Sequence, residues 1–404
     1  MVLVASVVAF FATCVVQRSW WSMIDLQVYR WGASVARSGG DIYGGAYENG
    51  LPFTYPPIAA IGMVPLTFVG LEISKIVLTC AGVFSIVVVV YAVFEALAVA
   101  HRLRWPVILC VTAMTLWLEP VQQTLKFGQL NLVLMAIVVT DLLLYADRRH
   151  AGFGVGLATA VKLTPGIFVL YLLVVGRIRA ARNALAVMAG LSALGFVVAP
   201  QSSWQYWFEP VFIDADRVGS EEYVANQSLY GLLARLQGEA HASLVWLGAV
   251  LTILSIVVVA VRTLDASHQP LGIVAFAFAG LLISPISWSH HWVWFVPLIA
   301  LSAAYAMTPQ ELQRLWWAVC GLALATLAWP NRGGPRDELL PQGIIWFSPY
   351  GGGREYQWSP RDVLVGNLYV ALGMLIVLLV ALMSFMTAAT GSWRAHKRES
   401  TPRW

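Results

Sequence analysis

Long apolar runs follow one another through almost the whole of this 404-residue chain, and they limit its fold more than any other feature. Hydrophobic residues make up 59% of the sequence and charged residues 11%, whereas a soluble protein carries about 25% charged residues. Inside a bilayer every backbone polar group must be bonded internally, so only helices and closed barrels can span it. The runs are continuous rather than alternating, which favours helices. The sequence therefore predicts a single all-α polytopic membrane domain, residues 1–404, with about 10–12 transmembrane helices.

Short basic loops predict the orientation of these spans, because loops rich in Lys and Arg stay in the cytoplasm. The basic loops lie at residues 101–104, 147–150, 177–182, around 262 and at 394–398. The long loops are rich in Trp, Gly, Pro and acids and are predicted to lie outside, at residues 18–57, 200–240 and 331–361. Residues 1–16 lack a basic start and a small-residue cleavage site, which predicts a retained helix. Both termini are therefore predicted to lie on the cytoplasmic side of the membrane, which is expected to be a bacterial plasma membrane.

Charge and cysteine usage argue against several kinds of site. The net charge of +4 is spread over many loops, and no basic tract suits nucleic acid. All four cysteines lie inside apolar runs, so we expect no disulfide and no thiol chemistry. No cluster of His, Cys, Asp or Glu has the spacing of a metal site. The chain is thus expected to work without a metal or a bound cofactor.

One segment between two basic loops is too short for two full spans. Only residues 151–176 separate these loops, and Lys162 and Pro165 lie in the middle. Two half-length helices with a proline break fit this length, and broken helices occur where backbone lines a polar cavity. A lysine near the bilayer centre costs about 2.5–3.5 kcal/mol on insertion scales, so Lys162 is a candidate phosphate ligand. Lys126 is a second candidate, although its stem could instead extend to the membrane interface.

The first predicted outer loop carries Asp25 a few residues beyond the end of the first span. A carboxylate there has two interpretations. It can cap a helix or sit solvated at the interface. It can also act as a catalytic base at the membrane surface.

A pair of histidines lies in the aromatic stretch 284–294, on the predicted outer side. His290 and His291 could belong to an interfacial aromatic belt with Trp288. Alternatively, one of them faces a polar cavity, where it moves protons or contacts phosphate. Adjacent residues on a helix point about 100° apart, so only one histidine is expected to face the cavity.

Amide and aromatic side chains near the outer ends of spans suit sugar hydroxyls and sugar rings. Amides also cap helices, and aromatic rings also lie among lipid headgroups, so both interpretations stay open. The candidates for substrate binding are Tyr55, Gln129, Asn131, Asn226 and Trp288.

Several of these pieces, taken as a set, resemble a known family. They are Asp25, Tyr55-Pro56-Pro57, Gly128-Gln129-Leu130-Asn131, Lys162 with Pro165, and Ser287-Trp288-Ser289-His290-His291. The chain resembles the GT-C glycosyltransferases, specifically glycosyltransferase family 87, over nearly its whole length. The resemblance implies an inverting transfer at the periplasmic face, with Asp25 as the catalytic aspartate. Whether Asp25 or a histidine is the base stays open, and of the two histidines the resemblance favours His290.

Within that family the likeness is to mycobacterial alpha-1,2-mannosyltransferases that use polyprenyl-phosphate-mannose. It implies a phosphatidylinositol mannoside acceptor, or, in a sister activity, the branching of lipomannan. The lipid-linked sugar is then a co-substrate, no further cofactor is expected, and the partners are membrane lipids. We expect a monomer. A lipid or solute transporter is the alternative from another class, because half-helices and an intramembrane lysine fit it too.

Overall fold

The computed structural model describes residues 22–48, 50–99, 101–209, 211, 219–264, 268–307, 313–330 and 341–399. It also describes residues 5, 6, 8, 9 and 12. The rest of the predicted first span, 1–17, lies outside the described residues. So does the central part, 331–340, of the last predicted outer loop.

The described chain is almost entirely helical. Its first α-helices are α1 (Ile24–Arg37), α2 (Pro57–Met63), α3 (Leu71–Ala96), α4 (His101–Thr115), α5 (Glu119–Phe127), α6 (Asn131–Leu143), α7 (Phe153–Val161), α8 (Ile167–Val174) and α9 (Ile178–Val198). They are followed by α10 (Pro200–Phe208), α11 (Leu229–Gln237), α12 (Glu239–Thr263), α13 (Gln269–Ile283), α14 (Phe295–Met307), α15 (Gln313–Leu327), α16 (Pro360–Gly366) and α17 (Leu368–Glu399). Short 3₁₀ helices occupy Val64–Phe68, Thr164–Gly166, Ser289–Trp294, Ile344–Phe347 and Arg354–Gln357. Two-residue strands, Trp329–Pro330 and Pro341–Gln342, pair antiparallel.

The expectation of an all-α polytopic membrane protein is confirmed. Within the described ranges four helices, α3, α9, α12 and α17, are long and apolar enough to cross a membrane. A fifth span results if α5 and α6, which meet at an angle of 117°, are counted as one broken helix. The other apolar helices have 10–17 residues, so helix length alone does not provide the ten or more full spans that the sequence predicted.

The break between α7 and α8 lies at Lys162. This residue has an extended backbone, with φ −149° and ψ 126°, directly after the last residue of α7. The 3₁₀ turn Thr164–Gly166, with Pro165 inside it, then leads into α8. A proline has no N–H to donate and disfavours helical backbone in the residue before it, so the helix cannot run straight through. The break places Lys162 between two helix ends rather than on a helix face.

The segment Glu119–Gly128 is helical and well packed. These residues form α5 and its cap, and Glu119 is fully buried. Pro120 lies in the first turn, where its missing N–H costs nothing, and Gly128 ends the helix with φ +71°. A Cβ at Gly128 would lie 2.7 Å from the Leu26 Cβ atom, so a glycine is required where α1 packs against this bend. The bend therefore brings Gln129 beside the first turn of α1.

The core consists of packed helices, with the cavity described below at one end. α3 packs against α6, α7 against α9, and α13 against both α12 and α17. Nearly every residue of α13 is buried. A second, smaller apolar cluster joins the inner face of α1 to Phe53, Tyr43 and Tyr206. This cluster fixes α1 over the helix ends and thereby positions the residue next to its N-terminus, Asp25.

Candidate active site

A cavity of about 480 Å³ lies between α1, the break at Lys162 and the segment that joins α13 to α14. A smaller cavity of about 50 Å³ adjoins it and shares Lys162, Thr164, Ser284 and His291 with it. The larger cavity brings together most of the residues that the sequence singled out. Its polar and aromatic lining comprises Asp25, Tyr29, Thr54, Tyr55, Gln129, Lys162, Thr164, Tyr206, Ser284, Trp288, His290 and His291.

Asp25 lies in the first turn of α1, directly after the buried Met23 and the partly buried Ile24. The preceding Met23 has left-handed backbone, φ 36°, an uncommon conformation for a residue with a side chain. Such backbone strain is often found at functional sites. The Asp25 Oδ2 atom accepts a hydrogen bond from the Gln129 amide at 2.7 Å. One carboxylate oxygen is thus held while the group as a whole faces the cavity.

Two tyrosines fix the orientation of Gln129. Its Oε1 atom accepts from the Tyr29 hydroxyl at 2.8 Å and from the Tyr55 hydroxyl at 2.9 Å. Those hydroxyls are themselves 2.9 Å apart. With the oxygen of Gln129 occupied by donors, its NH₂ group must point towards Asp25.

Burial raises the pKa of Asp25 from its ordinary value to about 6. The hydrogen bond from Gln129 and the positive charge of Lys162 lower this pKa, but they offset only part of the desolvation. A carboxylate with a pKa near neutrality is still ionised at pH 7 and is a better proton acceptor than an ordinary aspartate. This environment therefore suits a general base.

Lys162 is buried, and its ammonium group lies among groups from three other segments. Its Nζ atom donates to Asn131 Oδ1 at 2.8 Å and lies 3.3 Å from His291 Nε2. It also lies 5.1 Å from the centre of the Tyr55 ring. The charges of Lys162 and Asp25 attract each other, although the two groups form no direct ion pair in the described part of the chain. The ammonium group therefore remains available to an anion in the cavity.

The expectation that only one histidine faces the cavity is wrong, because both His290 and His291 line it. The reason is the backbone: residues 289–294 form an irregular 3₁₀ turn rather than an α-helix, and Trp292 departs from helical geometry. The two rings are 4.7 Å apart and nearly perpendicular. The His291 ring approaches Lys162, whereas the His290 ring packs against Phe127.

The backbone of this turn is anchored from two helices. The His290 carbonyl accepts from the Thr124 hydroxyl and from the Asn131 amide, each at 2.9 Å. Asn131 thus serves twice, because its oxygen holds Lys162 and its nitrogen holds the histidine turn. It lines the smaller cavity beneath Lys162 rather than the larger one.

Two predicted substrate-binding residues, Asn226 and Lys126, line neither of the two cavities. Asn226 is fully buried, donates to the Pro285 carbonyl at 3.1 Å and accepts from the Ser287 N–H at 2.9 Å. It therefore holds the segment that carries Trp288 and the histidines. Lys126 lies at the end of α5, where its charge acts on Glu119 rather than on the cavity.

Sequence reasoning missed two residues of this region. Tyr29 lies four positions after Asp25 on α1, a spacing that places both on one helix face and could have been noticed. Glu119 gave no such signal. It is fully buried and accepts from the Ser289 hydroxyl, the Trp346 indole and the Tyr369 hydroxyl at 2.8, 2.9 and 3.0 Å. Its three partners lie far away in the sequence.

Comparison with known proteins identifies the family of this chain. The family model described as "Glycosyltransferase family 87" matches residues 53–285, a range that leaves Asp25 and both histidines outside. Two relatives are each named a polyprenol-phosphate-mannose-dependent alpha-(1-2)-phosphatidylinositol mannoside mannosyltransferase. The Mycobacterium tuberculosis protein is 32% identical, covering 86% of this chain and 85% of that relative. The Mycolicibacterium smegmatis protein is 31% identical, covering 93% and 87%.

Among solved structures, ArnT from Cupriavidus metallidurans bound to undecaprenyl phosphate is similar at a TM-score of 0.38 and 16% identity, covering 98% of this chain and 81% of that one. The relatives extend over most of the chain. On the strength of the family model and these relatives, the chain belongs to glycosyltransferase family 87.

Proposed function

We propose that this glycosyltransferase moves mannose from polyprenyl-phosphate-mannose onto a phosphatidylinositol mannoside, forming an alpha-1,2 linkage. One observation carries the proposal: a single cavity presents one carboxylate, Asp25, and one buried ammonium group, Lys162. Transfer from a sugar phosphate requires both charges, because the acceptor needs a base and the departing phosphate needs a cation. The names of the mycobacterial relatives support the choice of donor and acceptor.

The chemistry is a single displacement at the anomeric carbon of mannose. Asp25 takes the proton of the acceptor hydroxyl as its oxygen forms the new bond to that carbon. The bond from the carbon to the phosphate oxygen breaks, and its electron pair leaves with the polyprenyl phosphate. Attack from the face opposite the leaving group inverts a beta-linked donor into an alpha product. Phosphate is a good leaving group, so no general acid is required.

Lys162 and His291 stabilise the charge that develops on the departing phosphate. A second positive charge 3.3 Å from the ammonium group is unfavourable, so the His291 ring is neutral and its Nε2 atom accepts from Lys162. This contact and the Asn131 oxygen hold the ammonium group in place before substrate binds. Preorganised charge of this kind is effective because nothing has to reorganise during the reaction.

Tyr55, Trp288 and Tyr206 supply aromatic surface for the two sugars, since they line the same cavity. The distribution of basic loops supports a periplasmic position for this cavity and a cytoplasmic position for both termini. A membrane-anchored donor and a membrane-anchored acceptor can then meet at one depth.

A transfer assay with the purified full-length protein tests the proposal. Radiolabelled polyprenyl-phosphate-mannose is supplied with a panel of acceptors: phosphatidylinositol mannosides of different length, lipomannan, and no acceptor. We expect label on a phosphatidylinositol mannoside, in a linkage that an alpha-1,2-specific mannosidase cleaves. Transfer to lipomannan alone would assign the sister activity. Movement of lipid across vesicles without any sugar transfer would contradict the proposal and favour a transporter.

A further inference from the structure

A second cavity, of about 300 Å³, lies at the opposite end of the helices that carry the active site. Gln269, the first residue of α13, lines this second cavity, whereas Ser284, just after the end of α13, lines the first one. A helix of 15 residues is about 22 Å long at 1.5 Å per residue. α8 runs between the same two places, from the turn at Thr164 to Val174. The two cavities are therefore separated by most of the thickness of a bilayer.

The second cavity combines positive charge with apolar walls. Its polar lining residues are Arg177 and Arg262, together with Tyr171 and Gln269. No carboxylate is found among the residues described as lining it. The remaining lining residues are Val174, Val175, Val261, Leu264 and Gly272.

One arginine is fixed in place. Arg177 donates to the Leu142 carbonyl at 3.3 Å and to Gln269 Oε1 at 3.2 Å. Gln269 in turn donates to the same carbonyl at 3.0 Å. Tyr171 is buried with its side chain in hydrogen-bonding contact with Gln269. The floor of the cavity is thus a small, connected polar network.

The other arginine, Arg262, has no polar partner among the residues that the structure describes. Arg262 is exposed at the last turn of α12 and forms no hydrogen bond or ion pair in the described part of the chain. A guanidinium group presents several N–H donors in a planar fork that matches phosphate oxygens. Arg177 and Arg262 come from different helices and converge on one concave space, which neither could create alone.

We propose that this cavity binds the phosphate of an anionic phospholipid in the leaflet opposite the active site. Basic pockets between helices at a membrane surface are typical sites for such headgroups. The valine and leucine side chains beside the arginines provide contacts for the first part of the acyl chains. A free phosphate ion would bind to the arginines, but the apolar side chains would not contribute to its affinity.

Binding of dioctanoyl phosphatidylglycerol to the purified full-length protein tests the proposal, with dioctanoyl phosphatidylcholine and inorganic phosphate as comparison ligands. The test variant is Arg262→Gln, because the Arg262 side chain forms no hydrogen bond or ion pair with any described residue. The matched control is Arg179→Gln, which removes an equal charge from an exposed position outside the cavity. We expect Arg262→Gln to weaken phosphatidylglycerol binding by about tenfold, the contribution of one charge-assisted hydrogen bond. The control should change it by less than about twofold.

Equal losses in the two variants would overturn the proposal, because they would indicate general attraction by surface charge. Inorganic phosphate that stabilises the protein as strongly as phosphatidylglycerol would assign the site to a free anion and overturn its assignment to a lipid. A second variant, Val175→Phe, fills the cavity and keeps both arginines. It should also weaken phosphatidylglycerol binding, and unchanged binding would show that the lipid does not enter this cavity.

Discussion

Asp25 and Glu119 are both buried or partly buried acids on the same side of the molecule, yet their surroundings differ. Glu119 receives three hydrogen bonds from side chains that lie in three separate segments, and none of its surface is exposed. Asp25 receives one side-chain hydrogen bond, from Gln129, and lines a cavity of about 480 Å³. The lone pairs of Glu119 are committed to the protein, whereas those of Asp25 remain available to a substrate.

We propose that this difference separates a structural acid, Glu119, from a reactive one, Asp25. A carboxylate with several donors stabilises the fold by holding segments together, and removing it leaves buried donors unpaired. A carboxylate with a single donor in a desolvated cavity contributes little to stability and is poised to take a proton. The two acids should therefore respond to substitution in opposite ways.

Asp25→Asn should cause the largest loss of activity. The amide keeps the size of the side chain but cannot accept a proton, so kcat should fall by about 10²–10⁴-fold. The melting temperature at pH 8 should not fall. Burial raises the pKa of Asp25 to about 6, so at pH 8 the charged carboxylate stabilises the folded protein less than an uncharged side chain would. Steady-state transfer assays and thermal unfolding measure the two effects. A variant with wild-type kcat would reduce Asp25 to a helix cap, since asparagine caps as well as aspartate does.

Lys162→Met should cause the next largest loss. Methionine retains the apolar stem but removes the charge that stabilises the departing phosphate, so kcat/KM for the donor should fall by about 10²–10³-fold. The protein should remain folded, because a buried ammonium group is replaced by an apolar group of similar length. Donor titrations with this variant and with Lys126→Met, whose residue does not line the larger cavity, provide the comparison. Unchanged donor kinetics for Lys162→Met would make this lysine structural.

The pH dependence should follow the ionisation of Asp25. Its pKa is raised, so the proton is lost only near pH 6, and kcat/KM should fall about tenfold per unit as the pH drops below that value. The hydrogen bond from Gln129 lowers this pKa. Gln129→Leu should therefore move the inflection to higher pH. A profile that is flat between pH 5 and 7, or an inflection that moves down in this variant, would contradict Asp25 as the base.

Substitution of His291 should lower activity more than substitution of His290. The sequence favoured the opposite order. His291→Ala removes the ring that contacts Lys162, and we expect about a tenfold lower kcat/KM for the donor, the scale of one hydrogen bond. His290→Ala is the matched comparison and should have a smaller effect, because its ring packs against Phe127. A larger loss from His290→Ala would return that residue to the role of base.

Glu119→Gln should affect stability more than catalysis. An amide cannot accept from all three donors, so the free energy of unfolding should fall by about 1–3 kcal/mol and the melting temperature by several degrees. The kcat measured at low temperature should stay within about twofold of the wild type, because Asp25 is untouched. Glu48→Gln, at an exposed position, is the control and should change neither quantity. A loss of kcat without a loss of stability would make Glu119 the reactive acid and reverse the comparison.

The sequence alone determined the class of fold and predicted most of the residues that line the candidate site. Continuous apolar runs require internally bonded helices, and a lysine beside a proline in such a run predicts a break. These local rules, together with the family resemblance, identified Asp25, Lys162, Tyr55, Gln129, Asn131 and both histidines. All of them lie in or directly beside one polar region.

Only the tertiary structure decided which polar groups face the cavity and which hold the fold. Asn226 and Glu119 are ordinary polar residues in the sequence, and their roles follow from partners up to 250 positions away. Residues 289–294 form an irregular turn rather than an α-helix, so the 100° spacing expected on a helix does not apply there. Both histidines therefore line the cavity. Helical periodicity in the sequence indicates which face of a segment is apolar. The hydrogen-bond partners of a buried polar group, however, come from segments that meet only when the chain has folded.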